Sequence, residues 1–145
     1  MPAKKQSKRA RAASALTFNH AMVYSKDVAS SLRFYADHLG FKLIETYQHE
    51  GRIVYARLKS SAGNTTIALH HVAPGEELHT GGVRLYFEVK DLDHFCERLE
   101  SSGLQFSEKP KQMPWGWRQA YLNDPDGHEV SLYWAGPKRF HVTKF

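Results

Sequence analysis

Cysteine and long apolar runs are what this 145-residue sequence has least of. Cys96 is its one cysteine, so the chain cannot form an internal disulfide or build a zinc site from thiolates. No apolar run approaches the roughly 18 residues that a membrane helix needs, and no signal-type apolar region opens the sequence. We therefore expect a cytoplasmic protein with no membrane partner, and 41% hydrophobic residues suffice for one folded domain.

Acidic residues are absent from the first fourteen positions, MPAKKQSKRARAAS, which hold five of the 20 Lys and Arg residues. The other cations balance the 15 acidic residues, so the formal net charge of +5 belongs to this segment. With almost no large apolar side chain the segment cannot stabilise itself by burial, and we predict a basic, flexible tail over 1–15. A solvated extension, binding of nucleic acid or an anionic surface through this arm, and organelle targeting are the alternatives.

An internal repeat is the most informative feature of the sequence. The stretch HAMVYSKDVASSLRFY, from His20, aligns with RLYFEVKDLDHFCERL, from Arg84, and the similarity continues through three later β-rich runs after a one-residue shift. We predict an α+β domain over 16–135 built of two tandem βαβββ units, about 16–72 and 83–135. The linker VAPGEELHTGG joins the units, and residues 136–145 form a predicted C-terminal tail.

Hydrophobic periodicity predicts the helix and the strands of each unit. Alternation typical of a first strand is seen at Phe18, His20, Met22 and Tyr24. Helical spacing follows, with Val28, Leu32, Tyr35 and Leu39 between Asp27 and Gly40, and with Leu92, Phe95, Cys96 and Leu99 between Asp91 and Gly103. This spacing puts Cys96 on a buried face. The later strands are predicted at about 41–48, 52–59, 65–72, 104–108, 117–122 and 128–134, with a turn at Asn-Asp-Pro-Asp-Gly (123–127).

Two segments of the repeat resemble one known superfamily. They are FNHAMVYSKDVASSLRFYADHLGFKLIE in the first unit and PWGWRQAYLNDPDGHEVSLYW in the second. The arrangement resembles the vicinal oxygen chelate superfamily, which includes glyoxalase I, extradiol dioxygenases, and the bleomycin and fosfomycin resistance proteins. The resemblance covers about 16–135. It implies that the two units curve into an eight-stranded cup that takes a small molecule, and that the protein is a homodimer with clefts shared between subunits.

The resemblance also implies four metal-ligand positions, one on the first and one on the fourth strand of each unit. In this sequence they are His20, Ala68, Arg84 and Ser131, of which only His20 is a good metal ligand. We therefore expect a degenerate metal site and no cofactor. The alternative is a divalent ion (Zn, Ni, Mn or Fe) held by His20 with the displaced ligands His70 and Glu129. That set would make the protein a metal-dependent lyase, isomerase or extradiol-type dioxygenase.

Without a metal, the same cup suits a small organic ligand of an aromatic or drug-like kind. The predicted ligand-binding residues are His20, Met22, Arg84, Tyr86, Trp115, Trp117, Ser131 and Tyr133, and no catalytic residue is assigned. Arg84 either binds a carboxylate or phosphate of the ligand or forms a salt bridge with Glu88 or Glu129. His20 has a structural alternative, and the two tryptophans could instead pack on a helix or a second subunit.

Overall fold

The first unit of the domain has the predicted β-α-β-β-β order. The structure, a computed structural model, describes residues 14–137, so most of the predicted basic tail and most of the predicted C-terminal tail lie outside the described residues. Strand β1 (His20–Ser25) leads into helix α1 (Val28–Leu32), which continues as a π-helical segment, Arg33–His38. Strands β2 (Lys42–His49), β3 (Arg52–Lys59) and β4 (Thr66–His71) complete this unit.

The second unit repeats this order. It consists of β5 (Arg84–Glu88), α2 (Leu92–Ser101), β6 (Glu108–Gln112), β7 (Arg118–Asn123) and β8 (Glu129–Trp134). The α+β class and the two tandem units are thus confirmed. Within residues 14–137 no helix has the length and apolar character needed to cross a membrane.

The eight strands form two four-stranded sheets with the same topology. Their orders are β1-β4-β3-β2 and β5-β8-β7-β6, with β1/β4 and β5/β8 parallel and the other pairs antiparallel. The register also repeats, because β1 sets Met22 opposite Ala68 and β5 sets Tyr86 opposite Ser131. The sequence repeat therefore extends to individual residue pairs.

Two elements differ from their predicted form. The first helix widens after Leu32, where the amide of Leu39 donates to the carbonyl of Phe34, five residues back, at 3.0 Å. In this wider turn the adjacent rings of Phe34 and Tyr35 are both buried. The strand predicted at 104–108 is shifted, since β6 begins only at Glu108, where pairing with β7 starts.

One core joins the two units. Its buried side chains come from both helices and both sheets and include Val28, Tyr35, Leu58, Leu69, Leu92, Cys96, Leu122 and Leu132. Cys96 is buried as predicted, and desolvation raises the pKa of its thiol to about 12, so it packs as a small apolar residue. Phe41 and Phe87 meet edge to face across the unit boundary, with ring centroids 5.0 Å apart.

The turn after β7 also ties the units together. The Tyr35 hydroxyl donates to Asp124 Oδ2 at 2.7 Å, and the backbone amide of Lys26 donates to Asp126 Oδ1 at 2.9 Å. His128 Nε2 lies 2.6 Å from the carbonyl oxygen of Tyr24. Asp124 Oδ1 accepts two backbone amides of its own turn, from residues 126 and 128. The predicted turn is therefore also the polar contact that fixes one unit against the other.

Candidate ligand-binding faces

Each sheet turns one face to the core and leaves the other open. Along β1, Val23 and Ser25 are buried whereas Met22 and Tyr24 are exposed. Residues paired across strands share a face. The first open face therefore carries His20, Met22, Tyr24, Thr66, Ala68, His70, Tyr55, Arg57, Glu45 and Tyr47. The second open face carries Arg84, Tyr86, Glu88, Glu129, Ser131, Tyr133, Gln119, Tyr121 and Asn123.

A chain of polar contacts crosses the first open face. The Tyr55 hydroxyl donates to Glu45 Oε1 at 2.7 Å, and the same oxygen lies 3.1 Å from Arg57 Nε. Arg57 Nη1 donates to Asn19 Oδ1 at 3.0 Å, and His20 Nδ1 lies 2.6 Å from that oxygen. Desolvation and the hydrogen bond to Glu45 raise the pKa of Tyr55, so its hydroxyl remains a donor.

Aromatic groups lie beside this polar chain. The His70 ring meets Tyr24 edge to face at 5.8 Å and lies 6.4 Å from the Tyr55 ring. Its Nδ1 is 2.7 Å from the carbonyl oxygen of His71. Tyr24 and Met22 keep 46% and 38% of their surface exposed, which leaves apolar area on this face for a ligand or a partner.

An ion pair anchors the second open face. Arg84 Nε and Nη2 each lie 2.9 Å from Glu129 Oε2, its opposite residue on β8. The guanidinium also sits over the Tyr121 ring at 4.9 Å. Hydrogen bonds with Tyr86 and then Glu129 raise the pKa of Arg84, which holds it charged. Of the two predicted roles for Arg84, the structure has the salt bridge, and its acid is Glu129.

Aromatic stacking and a buried amide complete this face. Trp117 stacks on Tyr133 with centroids 4.9 Å apart and planes 19° apart, and Tyr86 meets Tyr133 edge to face at 5.8 Å. Ser131, predicted to bind ligand, is fully buried and lies 3.4 Å from Gln119 Nε2. Gln119 is also buried, and its Oε1 has no hydrogen-bond partner among the described residues. Such an acceptor costs free energy unless water or a ligand reaches it.

A cavity of about 510 Å³ opens on the second unit. It is lined by Arg84, Ser107, Glu108, Lys111, Met113, Trp115, Tyr121, Leu122, Asn123 and Glu129. Its two cations are both paired, Arg84 with Glu129 and Lys111 with Glu108. The cavity is therefore neutral, with Trp115 and Tyr121 as aromatic walls.

The predicted site residues do not converge in one chain. Arg84 and Trp115 line the cavity just described, and His20 and Met22 lie on the other sheet. A second cavity, of about 500 Å³, lies between the units and is lined by Arg84, Tyr86 and the rings of Phe41, Phe87 and Phe95, among others. Neither of these two cavities contains His20. Thr66, the β4 partner of His20, does line the second cavity, so the first and second open faces approach each other there, whereas His20 and Met22 line neither cavity.

The donor set does not suit a catalytic metal. Of the four implied positions, Ala68 offers a methyl group, Ser131 is buried, and Arg84 is a cation bound to Glu129. The displaced set is not assembled within the described chain either. His20 lies opposite Thr66 and His70 opposite Tyr24, so four residues, or about 13 Å, separate the two histidines along the strands.

Among residues 14–137, one group of three ligating side chains does lie within 4.8 Å, namely Asp124, Asp126 and His128. Its atoms already serve the turn that joins the units, because Asp124 accepts the Tyr35 hydroxyl and His128 Nε2 faces the Tyr24 carbonyl. Desolvation raises the pKa of Asp124, which opposes the accumulation of negative charge there. We interpret this group as structural.

Several residues of the two faces were not predicted from the sequence. Asn19, Glu45, Tyr55 and Arg57 were missed on the first face, and Gln119 and Tyr121 on the second. The alternation of Tyr55 and Arg57 with buried Ala56 and Leu58 along β3 is the signal that could have found two of them. Their contacts depend on strand pairing, which alternation alone does not give.

Comparisons with known proteins agree with this fold. The family model "Glyoxalase/Bleomycin resistance protein/Dioxygenase superfamily" matches residues 17–132. The chain is 25% identical over 126 residues to a "Probable lactoylglutathione lyase" from Synechocystis sp., covering 83% of this chain and 96% of that protein.

Solved structures give the same result. A glyoxalase/bleomycin resistance protein/dioxygenase from Nocardioides matches with a TM-score of 0.70 at 20% identity, covering 99% of this chain and 100% of that one. TnmS3, described as an antibiotic binding protein from Streptomyces sp. CB03234, matches with a TM-score of 0.67 at 27% identity, covering 83% of this chain and 97% of that one.

Proposed function

Because the chain belongs to the glyoxalase/bleomycin resistance protein/dioxygenase superfamily, we propose that it binds an uncharged aromatic small molecule on its open sheet faces. The observation that carries this proposal is the neutral cavity with aromatic walls, in which Arg84 is already paired with Glu129. A ligand carboxylate would have to lose its water without gaining a free cation, which is costly. A flat uncharged ring can stack on Trp115 or Tyr121 at no such cost.

The complete binding cup takes one open face from each of two copies of the chain. Two observations support this arrangement: neither of the two described cavities contains both His20 and Arg84, and both faces leave large side chains such as Tyr24 and Tyr86 about half exposed. Superfamily members commonly form dimers. A two-fold dimer would make two equivalent cups, each with His20 from one copy and Arg84 from the other.

The antibiotic-binding relative supports binding without turnover. TnmS3 is 27% identical to this chain, and its description names antibiotic binding. Of the three implied metal positions without a good metal ligand, Arg84 lines both cavities, whereas Ala68 and Ser131 are fully buried beneath the open faces.

The test is a calorimetric titration with 2-naphthol and 2-naphthoate as matched neutral and anionic probes. We expect 2-naphthol to bind more tightly. We expect Trp115→Ala to weaken its binding at least about fivefold, since aromatic contacts contribute about 1 kcal/mol beyond their buried area. Val83→Ala is the control, because Val83 is exposed and lines neither cavity. Tighter binding of 2-naphthoate, or equal binding by Trp115→Ala, would contradict the proposal.

The relative named as a probable lactoylglutathione lyase favours a second candidate, a metal-dependent lyase. This function requires a divalent ion on His20 with further ligands. The test is to titrate metal-free protein with Ni, Zn, Mn and Fe(II) in turn and to measure the affinity and stoichiometry of each metal for the wild type and for His20→Ala. We expect no stoichiometric metal. Tight one-to-one binding that His20→Ala abolishes would replace the binding proposal with the lyase.

A further inference from the structure

We propose that Asn19 is a positioning residue that holds His20 in the tautomer with its proton on Nδ1, so that His20 recognises a hydrogen-bond donor of the ligand through Nε2. The proposal rests on the proposed function for its ligand, but its structural part is tested without one. It adds to the site a residue that precedes β1 and that the strand pattern did not mark.

The contacts of Arg57 identify the Asn19 oxygen. A side-chain amide offers an oxygen that accepts and a nitrogen that donates, and the two are distinguished only by their partners. A guanidinium can only donate, and Arg57 Nη1 lies 3.0 Å from Asn19 Oδ1. The atom that faces Arg57 is therefore the oxygen.

The same oxygen then decides the tautomer of His20. His20 Nδ1 lies 2.6 Å from Asn19 Oδ1, and an amide oxygen can only accept, so Nδ1 must carry the proton. In a neutral imidazole the other nitrogen, Nε2, is then a bare acceptor. No hydrogen bond of His20 Nε2 is described within residues 14–137, and the side chain is only half-buried on the first open face.

Arg57 is itself held in place from the next strand. Glu45 Oε1 lies 3.1 Å from Arg57 Nε and also accepts the Tyr55 hydroxyl at 2.7 Å. The Glu45 carboxylate thus attracts Arg57 across the strands, although Nε itself makes no hydrogen bond, and Arg57 Nη1 donates to Asn19. The acceptor presented by His20 is set by a network that extends over three strands.

The chemistry of the ligand follows from this acceptor. A bare imidazole nitrogen accepts from a hydroxyl or an N–H group, whereas an ether oxygen offers it nothing. The other face adds no free cation, because Arg84 is paired with Glu129. We therefore assign as ligand an uncharged aromatic molecule that carries a hydroxyl or N–H donor.

The tautomer is measured by two-bond ¹H–¹⁵N correlation spectra of ¹⁵N-histidine-labelled protein near pH 8, where an ordinary imidazole is neutral. His20→Gln identifies the His20 signals. We expect the protonated nitrogen to be Nδ1 in the wild type and in Asn19→Asp, which retains the acceptor. In Asn19→Ala and in Arg57→Met we expect a shift of His20 toward the Nε2–H form that an unconstrained histidine side chain prefers. An Nε2–H form in the wild type, or no change in Asn19→Ala, would overturn the proposal.

Recognition is measured by calorimetry with 2-naphthol and 2-methoxynaphthalene, which differ in one hydroxyl donor. One hydrogen bond predicts about fivefold tighter binding of 2-naphthol to the wild type and to Asn19→Asp, and a loss of this difference in Asn19→Ala. Equal discrimination by Asn19→Ala would refute the positioning role. If neither naphthalene binds, the proposed function fails, whereas the tautomer still confirms or refutes the role of Asn19.

Discussion

Glu129 determines the charge that the second open face offers to a ligand. Its Oε2 binds both Nε and Nη2 of Arg84, so Glu129→Gln should leave an unpaired guanidinium in the cavity. A carboxylate could then form a charge-assisted pair with Arg84, worth about 1.5 kcal/mol. We expect Glu129→Gln to bind 2-naphthoate about tenfold more tightly than the wild type does, with 2-naphthol nearly unchanged.

Glu97→Gln is the matched control, because it removes the same charge from an exposed position on α2 that lines neither cavity. Calorimetry with both naphthalenes separates a local pairing effect from a change in net charge. If Glu97→Gln raised 2-naphthoate binding as much as Glu129→Gln does, pairing with Arg84 would not be the cause.

The position of an individual site residue could be predicted from the sequence where it depends only on the residue's place along a strand. The repeat placed His20 and Arg84 on the first strands, and the structure has them there, although their roles as ligand contacts stay predictions. Asn19 and Arg57 were not found, because their contact joins β3 to the segment before β1. The alternation of residues along a strand also does not predict how buried each side chain is. Ser131 lies on the same face as Tyr133 but is fully buried.

The turn between β7 and β8 connects elements of both units and predicts a pH dependence of stability. Desolvation raises the pKa of Asp124 above its ordinary value of 3.8 in the folded protein. The folded state therefore binds a proton at pH values where the unfolded state has released it, and this contribution to stability is lost as the pH rises through the folded pKa. Wild-type protein should lose stability relative to Asp124→Asn as the pH rises from about 4 to 7.

In Asp124→Asn the oxygen can still accept the two backbone amides, whereas the amide nitrogen faces Tyr35 as a donor, so the direction of that hydrogen bond reverses. The charge is therefore read from how the difference between the two proteins changes with pH, and not from its absolute size. Urea unfolding at several pH values gives the free energy of unfolding of each variant. Asp37→Asn is the control variant, because it removes an exposed carboxylate from the π-helical segment and so shows how much the loss of one negative charge alone changes the free energy of unfolding. A difference between wild type and Asp124→Asn that stayed constant over this pH range would show that Asp124 does not titrate as its burial requires.

At the level of elements, periodicity predicted the number and order of helices and strands but not their exact form. The first helix was predicted as a regular α-helix, yet it widens into a π-helical segment where Phe34 and Tyr35 are both buried. The strand predicted at 104–108 begins instead at Glu108. Leu104 and Phe106 produced the misleading alternation, because they pack against the core without strand pairing. Tertiary packing determines both the π-helical segment and the start of β6, and a single sequence does not reveal this packing.

At the scale of the whole molecule, the proposed binding cup combines one open face from each of two copies of the chain. If a cup forms between copies, two defective variants should complement each other: His20→Ala damages the first open face, and Tyr121→Ala damages the second. In a heterodimer one cup carries both defects, and the other combines two intact faces. Random mixing then restores about a quarter of the 2-naphthol sites, since half of the dimers are heterodimers with one intact cup each.

The measurement is calorimetric stoichiometry after the two variants are unfolded together, refolded and compared with each variant treated alone. A cup formed within one chain predicts no recovery, because every chain then carries its own defect. Sedimentation at the same concentration establishes that the mixture is dimeric, so a missing signal cannot come from dissociated chains. Recovery of about a quarter of the sites would mean that the recognition unit of this protein is the pair of chains, with His20 and Arg84 meeting only across the dimer.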